Sequence, residues 1–181
     1  MKKKMIISSF VFSLMMLLGT QANAQKFSGL DKSPMDAAAF PTDYKDANKL
    51  IKIVYSRPQL KERSLDKLTD KGKVWRFGAN EAAELTLYTD MKLGGKTIKA
   101  GSYMVAAITG DKEWTIIINS DLNTWGSYFY NEEKDVARIT VPVTMASESL
   151  EAFSIVFSEG KSGVDMNIGW DKVRVVVPFT K

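Results

Sequence analysis

The feature that most constrains the fold of this chain is a repeated two-residue alternation of apolar and polar side chains from Leu50 onward. Residues that share one face in this way are Ile51, Ile53 and Tyr55; Trp114, Ile116 and Ile118; Phe153, Ile155 and Phe157; Met166 and Ile168; and Val175 and Val177. A period of two with β-branched and aromatic residues is typical of strands. The sequence therefore predicts an all-β fold, an antiparallel, jelly-roll-like β-sandwich of about 8–10 strands, with a closed β-barrel as the alternative.

Glycine and proline mark the predicted connections between strands. Gly94-Gly95 separates two short strand-like runs and predicts a two-residue hairpin, because both central positions of such a turn favour positive φ. Pro142 lies inside a strand-like run and lacks an N–H, which predicts an edge strand or a bulge there.

The chain divides into three predicted segments. Residues 1–24 have a basic start at Lys2 to Lys4, a short apolar run and the small residues of Ala22-Asn23-Ala24, which predicts a signal peptide cleaved after Ala24. Residues 25–48 are poorly patterned and predict a partly ordered strap, with at most one helical turn in Met35 to Phe40. Residues 49–181 are expected to form a single β domain, exported to the periplasm or beyond, with no transmembrane span.

Composition excludes several classes of function. There is no histidine and no cysteine, so Ser-His-Asp and Cys-His catalysis, disulfides and a typical zinc site are all excluded. We accordingly expect no catalytic residues, no cofactor and no metal. The formal net charge is +4, but the first 24 residues hold three lysines and no acid, so the remainder is nearly neutral. A nearly neutral surface does not attract phosphate backbones, and no nucleic-acid partner is expected.

One polar cluster stands out as a candidate ligand site. Side chains that donate or accept hydrogen bonds, together with one tryptophan, occur close together in a part of the chain where the strand pattern is weak. These residues are Arg57, Lys61, Arg63, Trp75, Arg76, Asn80 and Glu81. Such a concentration of directional hydrogen-bonding groups suits an anionic or polyhydroxylated ligand, with Trp75 as a stacking face. The alternative is structural: each arginine holds a loop carbonyl or an acid. In either case the segments around Arg57 and Trp75 to Glu81 are expected to meet in space.

A second candidate is aromatic. Trp125 and Tyr128 follow Asn119 and could form a platform for sugar rings, whereas in a β-protein aromatic residues more often fill the core.

The acids Glu81 and Glu84 lie in or beside the first cluster. If they faced each other across a cleft, they could support a metal-independent hydrolase.

The strings that carry these candidates also resemble a known family. Tyr55-Ser56-Arg57-Pro58, Trp75-Arg76 followed by Gly78-Ala79-Asn80-Glu81, and Trp125-Gly126 closely resemble the bacterial family called domain of unknown function 2911. The resemblance extends over about residues 30 to 179. It implies an exported, mostly β domain and implies no activity.

The sequence thus predicts an exported module of the cell envelope that binds a ligand or partner, with a carbohydrate or an envelope component as the leading candidate. The rival interpretations are a structural scaffold and, less favoured, a carboxylate-based hydrolase.

Overall fold

Alternating strands account for most of the chain from Met35 to Thr180. The computed structural model describes residues 25–181, so the predicted signal peptide lies outside the described residues. In chain order the elements are β1 (Met35–Phe40), β2 (Ile51–Ser56), α1 (Leu65–Thr69), β3 (Val74–Trp75), β4 (Ala83–Leu87), β5 (Met91–Leu93), β6 (Lys96–Ile98), β7 (Gly101–Ile108), β8 (Glu113–Asn119), a 3₁₀ turn (Glu132–Lys134), β9 (Asp135–Gly160) and β10 (Gly163–Thr180). Residues 31–181 form one compact unit.

The strands pair antiparallel in the order β1-β2-β4-β7-β8-β9-β10-β5-β6, and β3 pairs with β7. The first layer contains β1, β2, β4, β7, β8 and β3, and the second contains β10, β5 and β6. The long strand β9 belongs to both layers, because residues up to Pro142 pair with β8 and residues from Val143 pair with β10. Pro142 therefore lies where β9 changes partner, and its missing N–H interrupts no continuous ladder. The prediction of an antiparallel sandwich is confirmed. The barrel alternative is wrong, because β1 and β6 end the strand order without pairing to each other.

The strand β1 corrects the prediction for the N-terminal strap. Its residues Met35 to Phe40 pair antiparallel with Ser56 to Ile51 of β2, where at most a helical turn was expected. The run of three alanines in this strand favours helix locally. The open edge of β2 supplies a ladder of hydrogen bonds and overrides that preference. The hairpin prediction is confirmed: Gly94 and Gly95 have φ of 58° and 81° between β5 and β6.

The core lies between the two layers and is centred on aromatic rings. All seven residues predicted to face inward are buried: Phe153, Ile155, Phe157, Met166, Ile168, Val175 and Val177. Trp75 lies 5.1 Å from Phe153 and 5.7 Å from Trp170, measured between ring centroids. A smaller apolar cluster of Met104, Ala106 and Ile117 lies on the opposite, outer face of the first layer.

Candidate functional site

Arg57 is a structural clamp between the two layers. Its Nε donates to the Phe153 carbonyl at 3.0 Å, one Nη donates to Asp36 Oδ2 at 3.0 Å, and the other donates to Ser154 Oγ at 2.7 Å. The guanidinium thereby ties β1, at one edge of the first layer, to β9 in the second. Three of its five N–H groups donate to protein groups, one from each nitrogen, which supports a structural role for Arg57.

Lys61 and Arg63 stabilise the turn that follows β2. Arg63 donates from Nε to the Leu60 carbonyl at 3.0 Å and from Nη to the Gln59 carbonyl at 2.8 Å. Lys61 has φ of 47°, and its backbone N–H donates to Glu151 Oε1 at 2.8 Å. These contacts support the structural interpretation of this part of the cluster.

Trp75 corrects the stacking role expected of it. The side chain is 3% exposed, and its indole N–H donates to the Gly78 carbonyl at 3.2 Å. A ring packed on all sides by core aromatics has no face available to a ligand. Its place in the sequence cluster reflects packing of the core.

Arg76 differs from the other two arginines. It is half-buried, and its Nε is a buried side-chain nitrogen without a hydrogen-bond partner among residues 25–181. Every ion pair within residues 25–181 involves a lysine or arginine other than Arg76. No carboxylate of this range therefore lies within ion-pair distance of the Arg76 guanidinium. Within residues 25–181 the three arginines share no hydrogen-bond or ion-pair partner.

The two segments of the polar cluster nevertheless meet. A Cβ built on Gly78 would lie 3.0 Å from the Ser56 carbonyl oxygen, so the glycine permits close backbone contact there. Arg57 and Trp75 also share a neighbour, because both contact Phe153. The predicted approach of the segments is confirmed at Ser56 and Gly78.

Next to this contact lies a cavity of about 290 Å³, which we call the outer-face groove. Its lining residues are Met35, Val54, Tyr55, Ser56, Glu81, Ala82, Ala83, Glu84, Met104, Leu122, Asn123 and Thr124. Strand register explains its floor: Val54 pairs with Glu84, and Glu84 pairs with Met104. Their strand neighbours lie in the core, so side-chain alternation places this row on the outer face.

The wall of the groove is formed by residues 120–131, which we call the 120–131 loop. Ala82 N–H donates to the Thr124 carbonyl at 3.0 Å, and Gly126 N–H donates to the Asn80 carbonyl at 2.9 Å. Between these two bonds Glu81 and Trp125 form an antiparallel bridge. Asn80 and Glu81 thus contribute backbone to the attachment of this loop, and Glu81 also lines the groove.

A polar network around the buried Asn119 and the half-buried Asp135 anchors the far end of the 120–131 loop. The Asn119 amide donates to Asp135 Oδ1 at 2.8 Å and to the Asn131 carbonyl at 2.9 Å. Tyr130 donates to Asp135 Oδ2 at 2.7 Å and accepts from Arg138 at 2.7 Å. Burial, together with the hydrogen bond to Asp135, raises the pKa of Tyr130 to about 12. Asn119 is fully buried and holds the loop, so it cannot contact a ligand as the aromatic hypothesis expected.

The aromatic residues of the 120–131 loop are exposed. Trp125 is 57% exposed and Tyr128 is 77% exposed, whereas the other three tryptophans of the chain are buried. The alternative that these aromatics fill the core is therefore wrong for Trp125 and Tyr128. Because residues opposite each other in an antiparallel bridge project to the same side, the Trp125 ring lies beside the Glu81 side chain.

Two carboxylates, Glu81 and Glu84, line one cavity. Within the described range no group of histidine, cysteine, aspartate or glutamate residues is placed to hold a metal ion. The carboxylates that line the groove can accept hydrogen bonds from hydroxyl or amine groups of a ligand. The floor of Val54 and Met104 can contact the apolar part of a ligand.

Sequence reasoning missed much of the groove. Met35, Val54, Met104 and Thr124 were not among the candidates. The one available signal was alternation: Val54, Glu84 and Met104 each lie between two core-facing residues of the same strand. Nothing in the sequence indicates that these three positions lie in register.

Fold and site together define an antiparallel β-sandwich with a loop-walled groove on an outer face. The chain belongs to the family described as Protein of unknown function (DUF2911), which matches residues 34–179. No curated protein and no solved structure matches the chain. No helix of the described residues is long and apolar enough to cross a membrane.

Proposed function

We propose that this chain is an exported ligand-binding module and that its outer-face groove takes a small polyhydroxylated ligand of the saccharide type. The observation that carries the proposal is a groove lined with carboxylate, amide and hydroxyl groups, with the exposed Trp125 on the same loop, directly after the lining residue Thr124.

The chemistry of the groove suits a sugar ring. Hydroxyl groups of a saccharide can donate to the carboxylates of Glu81 and Glu84 and can exchange hydrogen bonds with Asn123 and Thr124. The apolar face of a sugar ring can stack on Trp125. A cavity of about 290 Å³ is at the lower end of the usual range for ligand sites, which favours one or two sugar rings.

An anionic ligand, which the sequence left open, is disfavoured in this groove. Arg57 and Arg63 are held by protein groups, and no arginine or lysine lines the cavity. Two carboxylates would repel an anion at close range.

Export is part of the proposal and rests on the N-terminal sequence pattern. The expected mature N-terminus is Gln25, and mass spectrometry of protein recovered from the periplasm or medium tests it. An intact Met1 in the exported protein would contradict the predicted cleavage.

Fluorescence offers a direct test of binding, because Trp125 is the exposed tryptophan of the four. Titration with cello-, malto- and chito-oligosaccharides should change the emission of Trp125, and bound sugar should protect it from acrylamide quenching. Trp125→Ala should abolish binding, measured by calorimetry.

Tyr88→Ala is the matched control, since Tyr88 is 53% exposed and lies outside the groove lining. It should bind as the parent does. Failure of every saccharide to bind, or equal binding by Trp125→Ala, would overturn the proposal.

A hydrolase is the second candidate, because Glu81 and Glu84 line the same cavity. It predicts slow release of shorter sugars from a bound oligosaccharide. Glu81→Gln or Glu84→Gln should stop that release while binding persists. Stable, unshortened oligosaccharide after prolonged incubation would exclude this candidate.

A further inference from the structure

We propose that two copies of this chain pair through the free edge of β1, with Ala37 of one copy opposite Ala37 of the other. The pairing does not depend on a ligand in the outer-face groove. Three features of β1 support it: the backbone groups that its edge leaves unpaired, the residues that the edge carries and the register that a two-fold axis allows.

The first feature is a row of backbone groups that point away from β2. The backbone N–H of Arg57 donates to the Pro34 carbonyl at 3.0 Å, which identifies the hydrogen-bonded pairs of the ladder between β1 and β2. Because such pairs alternate in an antiparallel ladder, every second residue of β1 directs its N–H and C=O away from β2. These edge-facing residues are Met35, Ala37 and Ala39.

The edge-facing groups have no strand beside them in the part of the chain that the structure describes. β1 ends the strand order and pairs with β2 on its other side. The Ala37 N–H donates to Oδ1 of the adjacent Asp36 at 2.8 Å, a local contact that a partner strand can replace. The edge therefore offers N–H and C=O groups to another strand.

The second feature is that β1 lacks the protection found on the opposite edge of the strand order. There β6 has three residues, and the exposed Lys96 and Lys99 lie in it and directly after it. Short length and lysines are means by which sheets prevent pairing between edges. β1 has six residues with no lysine and no proline, and its single charge, Asp36, forms an ion pair with Arg57. The edge of β1 is therefore open to pairing.

The third feature is the register that a two-fold axis normal to the sheet permits. With the axis at Ala37, each edge-facing residue lies opposite another edge-facing residue, and about six backbone hydrogen bonds form. An axis at Ala38 would place Met35 opposite Pro41, which has no N–H. An axis at Asp36 would place two carboxylates directly opposite each other, which is unfavourable. The register centred on Ala37 is therefore favoured.

Side chains on the outer face fit this register and identify a second copy as the occupant. Met35 is 57% exposed and would lie opposite Ala39 of the second copy, whose small side chain leaves room for it. Ala37 is exposed and would lie opposite its own equivalent, so no bulky or charged side chains meet at the axis. The pairing covers Met35 without removing a charge from water.

The paired sheet would also place the two outer-face grooves on one side. Val54 of the groove floor lies opposite Ala37 in the ladder between β1 and β2. Three strand spacings would separate Val54 of one copy from Val54 of the other, a distance of about 14 Å. An axis normal to the sheet keeps both outer faces on the same side, so the two grooves would open next to each other.

Sedimentation velocity over a range of about 1 µM to 1 mM protein tests the pairing, because one strand per copy makes a small and reversible interface. We expect a monomer at the low end of this range and a dimer at the high end. Hydrogen exchange measured by NMR over the same range should show about tenfold greater protection of the three edge-facing N–H groups in the dimer. The N–H groups that bond to β2 should be protected at every concentration.

A proline variant tests the edge without disturbing the ladder with β2. Ala37→Pro removes the N–H at the two-fold axis, and this N–H does not bond to β2, so the variant should fold and remain a monomer at about 1 mM. Ala38→Pro is the contrasting variant, because it removes an N–H that bonds to β2. It should lower the melting temperature more than Ala37→Pro does.

A charge pair tests the register. Ala37→Lys and Ala37→Asp should each raise the dissociation constant of the dimer about fivefold or more, because like charges would lie directly opposite each other. An equimolar mixture of the two variants should restore the dimer, because unlike charges then meet at the axis. Thr97→Lys is the matched control: Thr97 is exposed on β6, and the variant should dimerise as the parent does.

Three outcomes would overturn the proposal. The first is a parent protein that stays monomeric at about 1 mM. The second is a monomer whose edge-facing N–H groups are protected at every concentration, which would show that another segment of the same chain covers this edge. The third is a dimer that persists in both Ala37→Pro and Ala37→Lys, which would place the interface on another surface.

Discussion

Replacing Arg57 tests whether the polar cluster is a clamp or a binding site. Arg57→Ala removes a donor to the Phe153 carbonyl, one to Ser154 Oγ and an ion pair with Asp36. The ion pair has side chains 35% and 44% exposed, so solvent screening limits its contribution to about 0–1 kcal/mol. The two partly buried hydrogen bonds add about 1 kcal/mol each, and more for the carbonyl if it is left without a donor. The free energy of unfolding should therefore fall by about 2–3 kcal/mol.

Urea unfolding followed by circular dichroism measures this change, and the melting temperature should fall by about 5–10 °C. Hydrogen exchange should show faster opening of β1, because Arg57 ties that edge strand to β9. Asp36→Asn is the control, as it removes the ion pair alone and should cost less than about 1 kcal/mol. An unfolding free energy for Arg57→Ala within about 0.5 kcal/mol of the parent, with unchanged exchange in β1, would refute the clamp.

Three further predictions concern the core, the polar network and the long hairpin. Phe153→Ala should lower the free energy of unfolding by about 3–5 kcal/mol, because a fully buried ring is removed, and a loss under about 1 kcal/mol in urea unfolding would contradict the aromatic core. Since the folded-state pKa of Tyr130 is raised to about 12 from 10.0, its stabilising contribution is present below about pH 10 and is lost as the pH rises through 12. A tyrosinate absorbance titration of Tyr130→Phe should lack the step near pH 12, and its persistence would count against burial of the hydroxyl beside Asp135. Gly163→Ala should cost about 1–3 kcal/mol, because a Cβ there would overlap the Phe179 carbonyl oxygen, so an unchanged urea midpoint would disprove that contact.

The polar cluster shows where prediction from the sequence ended. Arg57, Arg63 and Trp75 were visible as unusual residues, but their roles depend on partners far away in the chain. Arg57 binds the carbonyl of a residue 96 positions later, and the ring of Trp75 packs against Trp170. A donor-rich string has the same appearance whether its donors meet ligand or protein, so only the tertiary contacts decide between the two.

The sequence by itself determined the strand pattern from Leu50 onward, the inward side of the alternating strands and the Gly94-Gly95 hairpin. These features depend on neighbours a few residues apart, since alternation and positive φ are local properties. The tertiary structure alone decided that Met35 to Phe40 is a strand and that Val54, Glu84 and Met104 form one floor. Both results depend on register between strands distant in the sequence, and each strand's own pattern specifies which face is buried without specifying which residues lie opposite.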